Sequence, residues 1–466
     1  MRRIAISGLV AVAAVLGGVA VAASATAQPT AAVRPITAVR AGSVVALRTA
    51  LAAEARAGAA RAGATAEAGA TAEAGAAAEA GAAESGEPLI SCVLSTDCVG
   101  VNGSSRLTTG NPSTPTRVAR WNGSTWKGVG VAVPKGTKSL DLNGVSCKGA
   151  KSCLVVGDYY TSTTSNAVNH VLALFYNGTS VKPTATVPLP KGTTAAALSG
   201  VSCATTRYCV ALGQADGDTA TFGAAGTLTF IETWNGAKWT LHTVAASIGK
   251  TTFVQPTVVS CATAAFCVLA GESSTMSSSS VTTKVYAASW NGKKLTTMKP
   301  AAVGGSKSFP LVSGVSCATA ANCAVTGGDV GNISSSTSTL TAFTEIWNGK
   351  TWQLGKVAWP KGTAESYTIG VSCYAAHSCE AVGVDSASTA DTAPFDAVAV
   401  SFKGSAGTRQ AVPAPSKGDS NAFAAVSCVP AGRCVATGET GKTTTVSPAL
   451  MTGVWNGKAW KLDPGL

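Results

Sequence analysis

Fourteen cysteines are the residues of this chain with most chemistry to offer, and their spacing limits what that chemistry is. They form seven pairs with five residues between partners: Cys92 and Cys98, Cys147 and Cys153, Cys203 and Cys209, Cys261 and Cys267, Cys317 and Cys323, Cys373 and Cys379, and Cys428 and Cys434. Structural zinc takes four Cys or His ligands in one cluster, and only His170, His242 and His377 are there to join them. Redox and catalytic thiols come singly or as Cys-x-x-Cys, not as seven equal pairs. The spacing therefore predicts a disulfide within each pair, across the end of a hairpin. Constraining so short a loop contributes about 2 kcal/mol per bridge in the chain-entropy account.

A second set of reactive groups follows the cysteines. Four to seven residues beyond the second Cys of each pair stands an acid or amide: Asn102, Asp158, Gln214 with Asp216, Glu272, Asp329, Asp385 and Glu439. Lys135, Lys191, Lys250, Lys307, Lys361 and Lys417 recur in the segments between repeats. One reading pairs these acids and lysines at the surface, where an ion pair contributes about 0–1 kcal/mol. The other makes the acids and amides a ring that binds a ligand or a cation at the mouth of the central channel. Retaining glycosidases need two carboxyls about 5 Å apart, so such a ring also offers glycan chemistry. Ser–His–Asp catalysis is not expected, because the three histidines fall in unrelated places in the repeats.

The elements that must position these groups follow from the period. Successive Cys pairs are 55 to 58 residues apart, and a second marker keeps the same step: Trp121-Asn-Gly, Tyr176-Asn-Gly, Trp234-Asn-Gly, Trp290-Asn-Gly, Trp347-Asn-Gly, Phe402-Lys-Gly and Trp455-Asn-Gly. Two markers holding one period over seven units define a repeat protein. In the fifth unit, Leu311 to Cys317, Cys323 to Gly327, Thr341 to Trp347 and Thr351 to Val357 read as four strands. Asn348-Gly349 suits a type I′ turn between the last two. The aromatics flanking that turn, Trp347 and Trp352, should share one face and pack on the neighbouring unit. Seven four-stranded units predict an all-β, seven-bladed β-propeller, with one C-x5-C disulfide per blade and the sheet edges removed by ring closure. The units are phased as whole blades, so no strand exchange between the chain ends is expected.

The pattern resembles the seven-bladed β-propeller group, loosely similar to kelch and Asp-box sialidase-like repeats. Gly123-Ser-Thr-Trp126 and Gly349-Lys-Thr-Trp352 match the Gly-x-Thr-Trp end of the Asp-box, with Trp121 and Trp347 where that motif has its Asp. The resemblance implies the fold over roughly residues 88–466. Sialidase catalysis in such propellers uses an arginine cluster, whereas Arg106, Arg117, Arg120, Arg207, Arg409 and Arg433 are not grouped in this sequence.

Residues 1–27 read as a signal peptide, with Arg2 and Arg3, an apolar stretch from Ile4 to Ala22, and Ala25-Thr26-Ala27 before the cleavage point. Residues 28–87 are a low-complexity Ala/Gly/Glu stalk, flexible or partly helical. Export suits the disulfides, and the membrane is met only if the N-terminal segment is retained. The net charge of +12 comes from lysines scattered singly, so nucleic-acid binding is not expected. No cofactor or metal motif is present, and a monomer is expected. The chain then reads as an extracellular or cell-envelope binding and adhesion module, its partner a polysaccharide or another surface protein. The alternative is an extracellular glycan-processing hydrolase or lyase using carboxylates at the propeller mouth.

Overall fold

The computed structural model describes residues 88–464, apart from 103, 107–117, 163–167, 218–226, 244–246, 249–251, 277–280, 305–307, 332–338, 391–392, 415–418 and 442–448. The signal and stalk segments read from the sequence lie outside the described residues.

The described residues are mostly strands and turns, arranged as seven sheets. Each sheet is built on four strands in chain order, as in blade 3: Thr193–Thr205, Tyr208–Gly217, Thr227–Trp234 and Trp239–Thr243. First strands of adjacent blades touch one another around the ring, so they form the inner edge and the fourth strands the outer. Side chains alternate across each strand. Leu154 and Val156 of blade 2 therefore pack toward Leu198 and Val201 of blade 3, while Val155 packs toward Val99 and Val101 of blade 1. The core is in this way a ring of blade-to-blade layers.

The seven disulfides form within blades as the spacing predicts, each joining residues directly opposite in the first two strands, with Cα atoms 3.9 to 4.0 Å apart. The serine just before each first cysteine links the blades. Cys147, Cys203, Cys261, Cys317, Cys373 and Cys428 donate their backbone N–H to Oγ of Ser91, Ser146, Ser202, Ser260, Ser316 and Ser372, at 2.8 to 2.9 Å. The seventh bond runs from Cys92 N–H to Ser427 Oγ at 2.9 Å and joins the last blade to the first. Blades 1 and 7 are each made from one contiguous stretch of chain, so this seam closes without strand exchange.

In six blades the first strand carries a bulge four residues before its cysteine, for example at Asn143, Ser199 and Ser313. The freed residue reaches across the seam. Ser199 Oγ donates to Thr257 O at 3.0 Å and Ser313 Oγ to Thr368 O at 2.7 Å. Facing the bulge, the second strand has a glycine, because a Cβ on Gly157, Gly271, Gly327, Gly383 or Gly438 would collide with a backbone carbonyl of the first strand.

Two sequence expectations are corrected. The Asn-Gly turns are not type I′, since Gly349 has φ 91° but His377 is the only non-glycine residue with positive φ among those described. Instead Trp347 pairs with Trp352 across a four-residue loop. Within it, Asn348 Oδ1 accepts from the N–H groups of Lys350 and Thr351, both at 2.9 Å. The side-chain amide supplies the turn hydrogen bonds, so the asparagine keeps negative φ. The fourth strand of blade 5 also stops at Leu354, and Lys356–Val357 pairs in parallel with the outer strand of blade 6. The paired aromatics behave as expected, with Trp121–Trp126, Trp234–Trp239, Trp347–Trp352 and Trp455–Trp460 at 5.2 to 5.7 Å between ring centroids. Indole N–H groups reach the preceding blade, as Trp239 Nε1 does to Thr184 Oγ1 at 2.9 Å.

Gly271→Ala should lower stability by about 2–3 kcal/mol or more, since the bulge must shift to admit a methyl group. Gly130, which has open space around its Cβ position, should tolerate alanine within about 0.5 kcal/mol. Denaturant unfolding of the two variants checks the difference.

Candidate functional site

Strand direction divides the ring into two faces. The Cys loops and Asn-Gly turns meet at one, because Cys203, Cys209, Trp234 and Trp239 stand in one cross-strand row. The starts of the first strands and the ends of the second meet at the other, together with the loops of variable length. The acids and amides that follow the second cysteines lie at this variable face.

They do not form one inward-pointing circle. The second strand is one place back from the channel, so its side chains enter the seams between blades, and a step of one residue changes the seam. Asp158, Gln214, Glu272 and Glu439 stand five residues after their cysteines and turn toward the next blade. Asp216, two residues beyond Gln214, turns the same way. Asp329 and Asp385 stand six residues after theirs and turn toward the preceding blade, as does Asn102. Glu272 and Asp329 therefore share the seam of blades 4 and 5, and Asn102 and Glu439 the seam that closes the ring. Blade 6 has the apolar Val384 where other blades carry an acid or amide, and Tyr367 packs with Phe309, Val330 and Leu340 of blade 5.

Several of these groups are buried without a protein partner for every polar atom. Both amide atoms of Gln214 and one oxygen each of Asn102, Asp158, Asp329 and Glu439 lack one. Glu272 Oε1 accepts from Val312 N–H of blade 5 at 2.6 Å, yet burial outweighs that bond and pushes its carboxyl up to about 8. Burial likewise pushes Glu439 to about 7 and Asp216 to about 6. Asp329 is raised by burial against a Ser308 hydrogen bond. Asp385 is raised by burial although Arg409 Nη2 donates to its Oδ2 at 2.8 Å. Lys135, Lys191 and Lys361 take no part in the ion pairs found among the described residues, which are Arg120–Asp97, Arg409–Asp385 and Lys461–Asp463. Lys250, Lys307 and Lys417 lie outside the described residues.

Blade 2 departs from the others. Directly opposite Asp158, in the first strand, stands a second carboxyl, Asp141; the corresponding residues are Ala197, Gln255 and Ala422 in blades 3, 4 and 7. Such cross-strand neighbours have Cβ atoms about 5 Å apart. Asp158 is fully buried and Asp141 half-buried above it. Asn143 Nδ2 donates to Asp158 Oδ1 and to Leu198 O, both at 3.1 Å, which ties the carboxyl to blade 3. Burial first, and then the Asp141 charge, hold Asp158 well above the usual carboxylate range, against the pull of Asn143, Tyr160 and Asn169. Two facing carboxyls, one with its titration displaced well upward, can donate and accept a proton at one place. On the other side of the same strands Tyr159 lies 5.2 Å from His170. The loop after blade 1's second strand crosses to this blade and adds Ser104–Arg106 to its channel-side edge, with Ser104 opposite Asp141. Sequence reasoning missed Asp141. Its signal was present, because it is the only acid six residues before a first cysteine.

His170 and His377 are exposed. His242 stands edge-on to Trp290 of blade 4 and bonds Thr233 Oγ1 at 3.0 Å, and His377 sits in a Cys loop on the opposite face.

The fold and site define a disulfide-stapled, seven-bladed β-propeller with ionisable groups gathered at the variable face. No family model matches the chain, and no curated protein matches it. Solved structures with a similar course of chain include an ulvan lyase of polysaccharide lyase family PL25, at 9% identity and TM-score 0.45, covering 82% of this chain and 96% of that one. An α-L-arabinanase of Penicillium chrysogenum matches at 9% identity and TM-score 0.41, covering 80% of this chain and 93% of that one. A GH32 β-fructofuranosidase of Bombyx mori matches at 6% identity and TM-score 0.32, covering 82% of this chain and 86% of that one. The chemistry of those enzymes remains theirs.

Glu272 titrates from 4.5 when unperturbed to about 8 in the folded chain. Between those values the folded chain binds more protons than the unfolded one, so stability falls as pH rises through that window. Calorimetry should find a higher melting temperature at the acid end than at the alkaline end, and Glu272→Gln should flatten the decline.

Proposed function

We propose that this is an exported, extracellular protein directed at glycans, and that it processes them at the blade 2 corner of the variable face. The observation that supports this reading is the facing pair Asp141 and Asp158, with burial raising the deeper carboxyl well above the usual carboxylate range. A proton donor beside a carboxylate is the equipment of glycosidic-bond cleavage. Asp141 is the group a sugar would touch, and Asp158 is a positioning residue that stores the proton beneath it. Asn143 and Tyr160 fix the pair. Export through residues 1–27 and the seven disulfides fit an oxidising, extracellular setting.

A second reading is binding without chemistry, with polysaccharide or a surface protein as partner. It draws support from the complete burial of Asp158 and from the spread of the other acids over separate seams. In both readings the ligand is held by hydroxyl-compatible amides and carboxyls at the variable face.

The test is a panel of neutral, carboxylated and sulfated polysaccharides, with retention of the protein and release of soluble chain ends recorded together. Release by the wild type, reduced about 100-fold or more in Asp141→Asn, is the expected result. Asp158→Asn should shift the pH profile of the reaction as well as its rate. Retention without release would replace processing by binding, and neither would remove the glycan reading.

A further inference from the structure

The opposite face carries a pattern that the sequence disguises. Lys238, Lys293, Lys294, Lys350, Lys403 and Lys458 lie in the turns between third and fourth strands, about one period apart. Along the chain they read as isolated charges. The seven-fold arrangement brings them to one face, and all six are exposed. Lys148, Lys151, Arg207 and Arg433 in the Cys loops are exposed beside them on blades 2, 3 and 7, and Arg120 and Lys127 complete the circuit on blade 1.

Negative charge is nearly absent from this face. Within the Cys loops and turns the one acid is Asp97, and Arg120 Nε holds it at 2.8 Å. Glu380, one residue past its cysteine, is 1% exposed, and burial pushes it up to about 8. Every blade thus contributes at least one cation to a ring of a single sign, whereas the variable face carries both signs. A surface of one sign attracts polyanions over a Debye length or more.

We infer that the turn face binds an acidic polysaccharide along this ring of lysines and arginines. The partner fits for two reasons. An extended polyanion can touch exposed cations set one or more per blade without entering a deep pocket. Most aromatic rings of the turns are buried, Trp234, Trp290, Trp352 and Trp460 being 3 to 6% exposed. The half-buried Trp126, Trp347 and Trp455 stand on separate blades, so they form no continuous platform for the stacked bases of a single-stranded nucleic acid. The inference does not depend on the blade 2 site, since it uses other residues on another face.

The test uses the full chain with polygalacturonate as probe, by calorimetric titration at low and at physiological salt. Binding at low salt that weakens as salt rises is expected, with none to neutral dextran. Combining Lys350→Ala, Lys403→Ala, Lys458→Ala and Arg433→Ala should weaken binding about tenfold and leave the melting temperature unchanged, since all four side chains are exposed. Asp141→Asn should bind polygalacturonate like the wild type, which separates this face from the proposed site. Salt-insensitive binding, or equal affinity in the fourfold variant, would overturn the inference. Tighter binding to duplex DNA or to anionic vesicles than to polygalacturonate would overturn the choice of partner.

Discussion

A single hydrogen bond repeated seven times sets what the rest of the ring can do. Each blade lends the serine oxygen before its first cysteine to the backbone N–H of the next blade's first cysteine. The backbone group would otherwise be an unpaired donor at a partly buried inner edge, at a cost of about 1–3 kcal/mol. The disulfide beside it holds the strand end in position. Because the last blade bonds the first in the same way, closure needs no strand shared between the chain ends. Seven equal joints, not one special seam, hold the circle.

Fixing the inner edge at the turn face leaves the variable face to carry differences. The bulge opposite the second-strand glycine bends six of the first strands, and in blades 2, 3 and 5 it sends a polar side chain into the next blade. Beyond that row the blades diverge: Val384 makes blade 6 apolar toward blade 7, while carboxyls and amides lie in the seams of blades 2 to 6 and in the closing one. Burying these acids costs free energy unless they stay protonated, which is why their titration is displaced upward. The same burial that makes the folded chain sensitive to alkali gives blade 2 a carboxyl raised well above the usual range beneath a second carboxyl. The scaffold and the proposed site thus rest on one constraint, carboxyls placed where water is scarce.

Much of the architecture was legible in the chain because a repeat states its rule seven times. The cysteine spacing gave the disulfide pairing, and the two markers gave the blade count and the direction of each strand. What was not legible depended on geometry at the level of one residue. Asn348 beside Gly349 matches a two-residue turn in composition, but its side chain makes the turn's hydrogen bonds and lengthens the loop. Asp158 and Asp329 stand at nearly the same place in their repeats, yet the two-residue alternation of a strand sends them to opposite sides. Asp141 precedes its cysteine and has no acidic counterpart in the other repeats, so the period does not mark it. The lysines of the turn face read as scattered because their neighbourhood exists only in the closed ring.

The equivalence of the seven joints is the claim on which the account stands, and hydrogen exchange of the backbone amides of Cys92, Cys147, Cys203, Cys261, Cys317, Cys373 and Cys428 tests it most directly. Equal protection at all seven, lost only with global unfolding, is the predicted result. Faster exchange at Cys92 than at the other six would mean that the ring opens between blades 7 and 1, and that its closure differs from the other joints.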